Sequence, residues 1–172
     1  MQRDLLLDEL EQLERSVQRV EKALNQIADG HPGVTLVQTI PGIGPRTAEA
    51  VVASIDDARR FPRNKAIGNY FGLIPCQDQS ASRNHLGHIT QDGPPVVRAL
   101  LTEAAWQGIR RSAHLKAYFD RITKGDPDRK KIAVVATAHY LARVMLAMLR
   151  SGQAWRYEAK GRKQQATETK AA

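Results

Sequence analysis

The stretch of sequence that decides the fold is Thr39-Ile40-Pro41-Gly42-Ile43-Gly44-Pro45-Arg46-Thr47-Ala48. The apolar run of residues 34–40 predicts the end of one helix, which Pro41 and Gly42 terminate. Pro45 suits the first turn of a new helix, which the sequence predicts as far as Ile55. Two helices joined by a short turn of this composition are typical of a helix-hairpin-helix element.

The start of the second helix is a candidate phosphate-binding site. A helix N-terminus leaves backbone N–H groups without intrahelical partners, and phosphate oxygens can accept their hydrogen bonds. Gly42 and Gly44 allow close approach of another backbone, and Pro45, Arg46 and Thr47 follow, with Arg46 adding a charge. We therefore expect these five residues to contact DNA phosphates, a contact that positions a protein without reading sequence. The alternative is an ordinary turn that uses glycine and proline only for its geometry.

The net charge is unevenly distributed along the chain. The 172 residues carry a formal net charge of +8, yet residues 1–29 hold four basic and seven acidic side chains. That segment therefore carries −3 and the other 143 residues carry +11. A basic body favours a polyanionic partner such as DNA, and an acidic extension favours another role. The alternative is that these charges only keep the surface hydrated.

Cysteine content and hydropathy narrow the class of protein. Cys76 is the one cysteine in the sequence, which excludes an internal disulfide and a cysteine-based zinc site. No apolar run approaches the ~20 residues of a membrane span, and residues 1–4 lack the pattern of a signal peptide. We therefore expect a protein of a reducing cytoplasm, with no metal site in this chain and no membrane partner.

Residues 1–29 follow a heptad pattern. Apolar side chains recur at alternating steps of four and three residues, at Leu6, Leu10, Leu13, Val17, Val20, Leu24 and Ile27. This seam predicts a coiled-coil helix whose a and d positions face a partner. A lone helix would leave the seam in water, so we expect a homodimer through residues 6–27, or else packing against a helix of the same chain. Residues 29–33 mark the boundary.

The rest of the chain is predicted to be helical, because few stretches alternate apolar and polar residues and alanine is frequent. Four further helices are expected, near residues 64–71, 96–112, 114–123 and 130–149. We therefore predict an all-α fold. It comprises a coiled-coil helix over 1–29, a helical domain with the helix-hairpin-helix element over 34–150, and a disordered basic tail over 151–172.

A polar segment interrupts these helices. Residues 72–95 hold few hydrophobic side chains, and a loop of that length within a compact domain is usually functional or disordered. Ser80 and Ser82 are candidate nucleophiles there, and Arg83 and Arg98 are candidates to stabilise phosphoryl charge. Serines are also common in inert loops, so composition alone leaves both interpretations open.

Five short motifs occur in a fixed order along residues 35–150. They are the hairpin Ile40-Pro41-Gly42-Ile43-Gly44-Pro45; Arg60-Phe61 before a helix with Lys65; Tyr70-Phe71-Gly72-Leu73-Ile74-Pro75 leading to Gln79-Ser80; Gly87-His88-Ile89-Thr90-Gln91-Asp92-Gly93 before Val97-Arg98-Ala99-Leu100; and a late alanine-rich helix. This ordered set resembles the C-terminal half of the bacterial insertion-sequence transposases of family 110, which includes the related types 116 and 902. The heptad helix also lies where that family has a coiled-coil linker.

The resemblance implies a specific chemistry. Members of the family are DNA recombinases that move a mobile element under the guidance of a structured RNA. An N-terminal RuvC-like domain with four acidic residues binds Mg²⁺, and the C-terminal domain supplies a serine that forms a phosphoserine link with DNA. That serine falls on Ser80 here, with Ser82 as the second candidate. DNA and a guide RNA are the implied partners, and the bacterial nucleoid is the implied location.

The chain departs from the family pattern in two ways. Ala81 follows the motif serine where the family often has glycine, and Gly93 precedes proline where the family commonly has asparagine. No strand-rich stretch with spaced carboxylates precedes the heptads, so we interpret the chain as the C-terminal part and expect it to be inactive alone. A non-catalytic DNA-binding module and a coiled-coil interaction protein remain as alternatives.

Overall fold

The computed structural model describes the backbone of residues 2–80 and 83–157, and the side chains of these residues except 77–80 and 83–86. The helices are α1 (Gln2–Asp29), α2 (Pro32–Val37), α3 (Pro45–Ile55), α4 (Ala66–Tyr70), α5 (Pro95–Arg111), α6 (Ala113–Thr123) and α7 (Lys130–Ser151); the strands are β1 (Pro75–Ser80) and β2 (Arg83–Ile89). The prediction of an all-α fold is confirmed, apart from one small hairpin. Ser82 and residues 158–172, most of the predicted tail, lie outside the described residues.

Helix α7 forms the centre of the core and contacts α2, α4, α5 and α6. Its fully buried apolar side chains include Ala138, Leu141, Ala142, Met145 and Leu146. Burying one leucine or methionine side chain contributes about 1.5–3 kcal/mol relative to leaving it exposed. Val135 and Leu149 of the same helix are only partly buried.

Helix α7 is also long and apolar enough, by these two criteria alone, to cross a membrane. The segment that meets them is Pro127–Ser151, which the sequence analysis did not anticipate. Half of its most apolar window is buried inside the protein, at 50%. The central helix of a folded domain has these properties as well.

Helix α1 covers the predicted heptad segment and extends away from the core. Ala28 is its buried residue, near the end that joins the body. The seven seam residues are 41% to 72% exposed, so within one copy of the chain the seam faces solvent. Helix α1 is linked to α3 by a hydrogen bond of 3.2 Å, which Arg46 Nη2 donates to the carbonyl oxygen of Glu21.

Strands β1 and β2 lie in the segment 72–95 that the sequence predicted as a loop. They pair antiparallel, with Pro75 opposite Ile89, Ser80 opposite Arg83, and an irregular register near Pro75. The prediction of a loop is therefore wrong. The sequence did not reveal these strands because the segment lacks the alternating apolar residues of a half-buried strand. Gly87 is exposed, as expected of a hairpin with little apolar surface to bury.

The chain beyond α7 returns to the body. Gly152 takes the left-handed conformation with φ of 67° and ends α7. The backbone N–H of Trp155 then donates to Thr39 Oγ1 at 3.1 Å, across 116 positions in sequence. The Trp155 ring meets His114 edge-on, with ring centroids 5.7 Å apart. The first residues of the predicted tail therefore contact the turn that precedes α3.

Candidate nucleic-acid interface

The turn between α2 and α3 packs against the middle of α5 through two glycines. Gly42 has φ of 92°, and a Cβ on it would lie 2.5 Å from the Gly108 backbone nitrogen. A Cβ on Gly108 would lie 3.2 Å from the Pro41 carbonyl oxygen. The two backbones touch because neither glycine has a side chain. Gly42 therefore meets the protein's own backbone, where the sequence predicted contact with a nucleic acid.

Gly44 has a different environment. It precedes α3 as the N-cap residue, and a Cβ on it would meet no atom within 4 Å. No side chain caps this helix, while Ala48 N–H donates to the Gly44 carbonyl at 3.0 Å. The amides of Arg46 and Thr47 therefore remain at the start of α3 without intrahelical partners. Open space in front of such amides is what an approaching phosphate requires.

The side chains at this helix start are engaged within the protein. Arg46 donates to Glu49 Oε2 at 2.8 Å as well as to Glu21, and its side chain is 34% exposed. Thr47 is 8% exposed. Only the backbone of these two positions is free to meet a ligand. The positive charge that the sequence assigned to Arg46 therefore serves to attach α1 to α3.

Other cations lie on α5, near its contact with this turn, and on the segment before α4. Arg110 and Arg111 end α5 and are exposed, and Arg111 follows Gly108 by one helical turn on the same side of the helix. A second basic run occupies residues 59–65, where Arg60 lies over the Tyr70 ring at 4.8 Å. Sequence reasoning did not assign Arg110 and Arg111 to the interface, because only the contact at Gly108 brings them beside the turn.

The base of the β1–β2 hairpin is built on two further glycines. Gly72 and Gly93 have φ of 62° and 81°. A Cβ on Gly72 would overlap the Asp92 main chain, and a Cβ on Gly93 would overlap the Tyr70 carbonyl oxygen. The two arms of the hairpin therefore cross in direct backbone contact. The motif glycines of the sequence analysis meet here, although they are 21 positions apart in sequence.

Arg98 holds this base in place. Its Nη1 donates to the carbonyl oxygens of Phe71 at 3.3 Å and Asp92 at 3.2 Å. Ser80 lies at the far end of β1, about 17 Å from Pro75 at 3.3–3.4 Å per strand residue. The structure thus pairs Ser80 with Arg83 in the strand register and keeps Arg98 apart from both.

An aromatic cluster beside α6 was not predicted from the sequence. Tyr118 and Tyr140 stack with centroids 4.6 Å apart, and His114 stacks on Tyr157 at 3.9 Å. Burial, together with the charge of Arg121, lowers the pKa of His114. Its Nε2 lies 2.9 Å from the Tyr140 hydroxyl oxygen, and the two atoms share a hydrogen bond. Three separate segments contribute these rings, so no periodic signal in the sequence reveals them.

Comparison with known proteins gives a consistent result. The family described as Transposase IS116/IS110/IS902 matches residues 34–120. The chain is 32% identical over 146 residues to a Pseudomonas aeruginosa protein named "Probable family 20 transposase", covering 84% of this chain and 43% of that protein. It is 30% identical to the transposase for insertion sequence element IS1111A of Coxiella burnetii, covering 88% and 42%.

A third relative extends the same pattern. The transposase for insertion sequence element IS1328 of Yersinia enterocolitica is 27% identical over 149 residues, with 86% of this chain and 42% of that protein covered. The chain therefore spans less than half the length of each of these three relatives. The matched family region contains the turn at Gly42, the β1–β2 hairpin and α5.

The two glycines of the turn should respond differently to substitution. Gly42→Ala places a methyl group against the α5 backbone at a positive φ, so we expect it to lower the free energy of unfolding by about 2 kcal/mol or more. Gly44→Ala adds a methyl group in open space and should change it by less than about 0.5 kcal/mol. Urea unfolding followed by circular dichroism measures both, and equal losses would contradict the packing described.

Proposed function

The chain belongs to the IS116/IS110/IS902 family of transposases, and from this we propose that it is the DNA-handling C-terminal part of such an enzyme. One observation carries the proposal: the region that matches the family contains both the uncapped start of α3 and the hairpin with Ser80. The chain covers less than half of its relatives, so we assign DNA strand cleavage and exchange to the complete protein.

We propose that DNA phosphates bind at the start of α3. The amides of Arg46 and Thr47 donate to phosphate oxygens, and Gly44 leaves room for the sugar-phosphate chain. At the start of α3, Thr47 is buried and Arg46 is paired with Glu49. The exposed positive charge that attracts DNA therefore comes from Arg110 and Arg111. Binding of this kind depends on charge and backbone geometry, and it has little dependence on base sequence.

The salt dependence of DNA binding tests this interface. We expect the affinity of the chain for duplex DNA to fall steeply with salt, with a slope of about 0.9 in log–log form for each phosphate contacted. Replacing Arg110 and Arg111 by glutamine should reduce that slope by about 2. The matched control replaces Lys130 and Lys131, an exposed basic pair that begins α7, and should change the slope less.

Gly44→Leu completes this test, because it fills the space before the α3 amides and should weaken binding while the fold persists. Salt-insensitive affinity, or no binding at low ionic strength, would contradict the proposal. The second of these results would favour an interaction protein built on α1.

Ser80 is proposed as the nucleophile of the complete enzyme. Its Oγ bonds to the scissile phosphorus as the bond from phosphorus to a deoxyribose oxygen breaks, which leaves a phosphoserine link and a free sugar hydroxyl. The serine proton passes to a base, and the leaving sugar oxygen takes up a proton. Arg83 is the candidate to neutralise the non-bridging oxygens, since it is the register partner of Ser80. Arg98 positions the hairpin from its base.

A serine hydroxyl needs a base or a metal to become reactive at neutral pH. The described residues contain no group of three or more His, Cys, Asp or Glu side chains that could hold a metal ion. We therefore assign Mg²⁺ to the RuvC-like domain that the family resemblance implies for the rest of the protein. A guide RNA is the second nucleic-acid partner that we propose, and the bacterial cytoplasm, at the nucleoid and away from membranes, is the proposed location.

The serine assignment has a direct chemical test. With Mg²⁺ and DNA, this chain alone should form no covalent adduct, whereas the complete protein with its guide RNA should form one. Ser80→Ala should abolish the adduct, and Ser82→Ala is the matched control that should keep it. Denaturing gels and mass spectrometry detect the link. Loss on Ser82→Ala alone would move the nucleophile two positions, and loss on neither would refute the serine mechanism. Absence of any adduct from the unmodified complete protein would favour a non-catalytic DNA-binding module.

We also propose that α1 holds two copies of the chain together. Its seam is continuous over residues 6–27 and exposed in a single copy, and burying it against a second copy removes that apolar surface from water. The body offers no cover for most of the seam, because among the residues of α1 only Ala28 is buried.

Charge placed in the seam should dissociate this dimer. The double variant Leu13→Lys with Val20→Lys should be monomeric at micromolar concentration, since paired helices would bury four ammonium groups. The control Gln12→Lys with Gln18→Lys adds the same charge to exposed positions outside the seam and should stay dimeric. Light scattering distinguishes the two, and an unmodified chain that is monomeric would refute the dimer.

A further inference from the structure

We propose that two copies of the chain pair antiparallel through α1, so that the first turn of each α1 lies over a groove at the far end of the other. This inference rests on the dimer proposed above and specifies its geometry. It follows from three observations: the distribution of charge along α1, the order of its apolar residues, and a groove where the seam meets the body.

Charge divides α1 into two unlike halves. Residues 2–14 carry one basic and five acidic side chains, a net of −4, whereas residues 15–29 carry three basic and two acidic, a net of +1. A parallel pair lays the two acidic halves side by side. An antiparallel pair lays each acidic half along the more basic half of the other copy, and opposes the helix dipoles favourably as well.

The positions that flank the seam favour the same orientation. In a parallel pair, Glu9 at position g lies beside Glu14 at position e of the other copy, and symmetry repeats this repulsion. In an antiparallel pair, Glu9 instead lies opposite Ala23. One contact between like charges remains, where Glu14 meets its own copy near the symmetry axis. The antiparallel pair therefore has the smaller electrostatic cost.

The apolar seam closes in full register when the copies run antiparallel. Each a position meets a d position of the other copy, which pairs Leu6 with Leu24, Leu10 with Val20, and Leu13 with Val17. No apolar position is left without a partner between residues 6 and 24. Helix α1 is thus long enough for both copies to cover one another along nearly their whole length.

A groove of about 220 Å³ lies where the seam meets the body. Its lining is mostly apolar and comes from the end of α1, from α2 and from α3: Leu24, Ile27, Ala28, Val34, Val52 and Ala53, with His31 beside them. Glu49 and Asp56 add carboxylates to the lining. Glu49 Oε2 is paired with Arg46, but Oε1 is buried and has no hydrogen-bond partner in the described part of the chain. The groove therefore suits an apolar segment that carries a positive charge.

The first turn of α1 from the second copy has this character. It presents three successive exposed leucines, Leu5, Leu6 and Leu7, at 63%, 66% and 51% exposure. Arg3 precedes them, and in the antiparallel register it lies opposite Ile27, at the edge of the groove. Its guanidinium group then faces the carboxylates of Glu49 and Asp56 that line the groove. The second copy thus matches the groove in apolar surface and in charge.

Disulfide trapping distinguishes the two orientations. In a Cys76→Ser background, we would prepare Leu6→Cys and Leu24→Cys chains separately and oxidise each alone and as an equimolar mixture. In the antiparallel pair these two positions are neighbours, while two copies of residue 6 are about 27 Å apart, far beyond disulfide reach. We expect a cross-linked dimer from the mixture and none from Leu6→Cys alone, with Gln12→Cys as the control for random collision.

The other outcomes separate failure of this inference from failure of the dimer. Cross-linking of Leu6→Cys alone would show a parallel dimer and overturn the inference while keeping the dimer. A dimer by light scattering with no cross-link in either sample would overturn the register. A monomer would overturn both.

A second variant tests the groove separately. Ala53 is exposed, so Ala53→Arg should leave the fold intact but place a charge against Arg3 of the second copy. We expect it to raise the dimer dissociation constant about tenfold. Ala117→Arg, at an exposed position of α6, is the matched control and should leave that constant unchanged. Equal effects of the two variants would show that the groove lies outside the dimer interface.

Discussion

The contact between the Gly42 and Gly108 backbones is the constraint on which the other functional features depend. It fixes the turn before α3 against the middle of α5, and so it decides where the α3 amides point. Helix α5 also holds the β1–β2 hairpin, through Arg98 at its other end. Arg98 and Gly108 are separated by about 15 Å along the helix axis, at 1.5 Å per residue. One helix therefore sets the spacing between the start of α3 and the hairpin.

The glycines of the family motifs have distinct physical roles. Gly42, Gly72 and Gly93 each take a positive φ and touch another part of the main chain, so side chains are excluded from them by the protein itself. Gly44 takes an ordinary extended conformation and faces open space. Of these four, it is the glycine at which an added Cβ would meet no atom within 4 Å. The distinction requires coordinates, since all four look alike in the sequence.

Periodic features of the chain could be predicted from its sequence. The heptads predicted α1, because its apolar residues repeat at the spacing of a helix, and the long helix predicted near residues 130–149 is α7. The β1–β2 hairpin could not be predicted, since its strands lack an alternating apolar face. The role of Arg46 was also hidden, because its partner at Glu21 is 25 positions away. Arg98 binds main-chain carbonyls, which leave no mark in a sequence.

The hydrogen bond between Trp155 and Thr39 affects the order in which parts of the chain fold during synthesis. The turn before α3 emerges early from the ribosome, yet it is held by Gly108 and by Trp155, which are synthesised much later. Contacts of such large sequence separation cannot form until both ends exist. The turn before α3 therefore acquires its final contacts only after α7 and Trp155 have been synthesised. A polypeptide released before Trp155 would keep the whole of α1 but lack the hydrogen bond that holds Thr39.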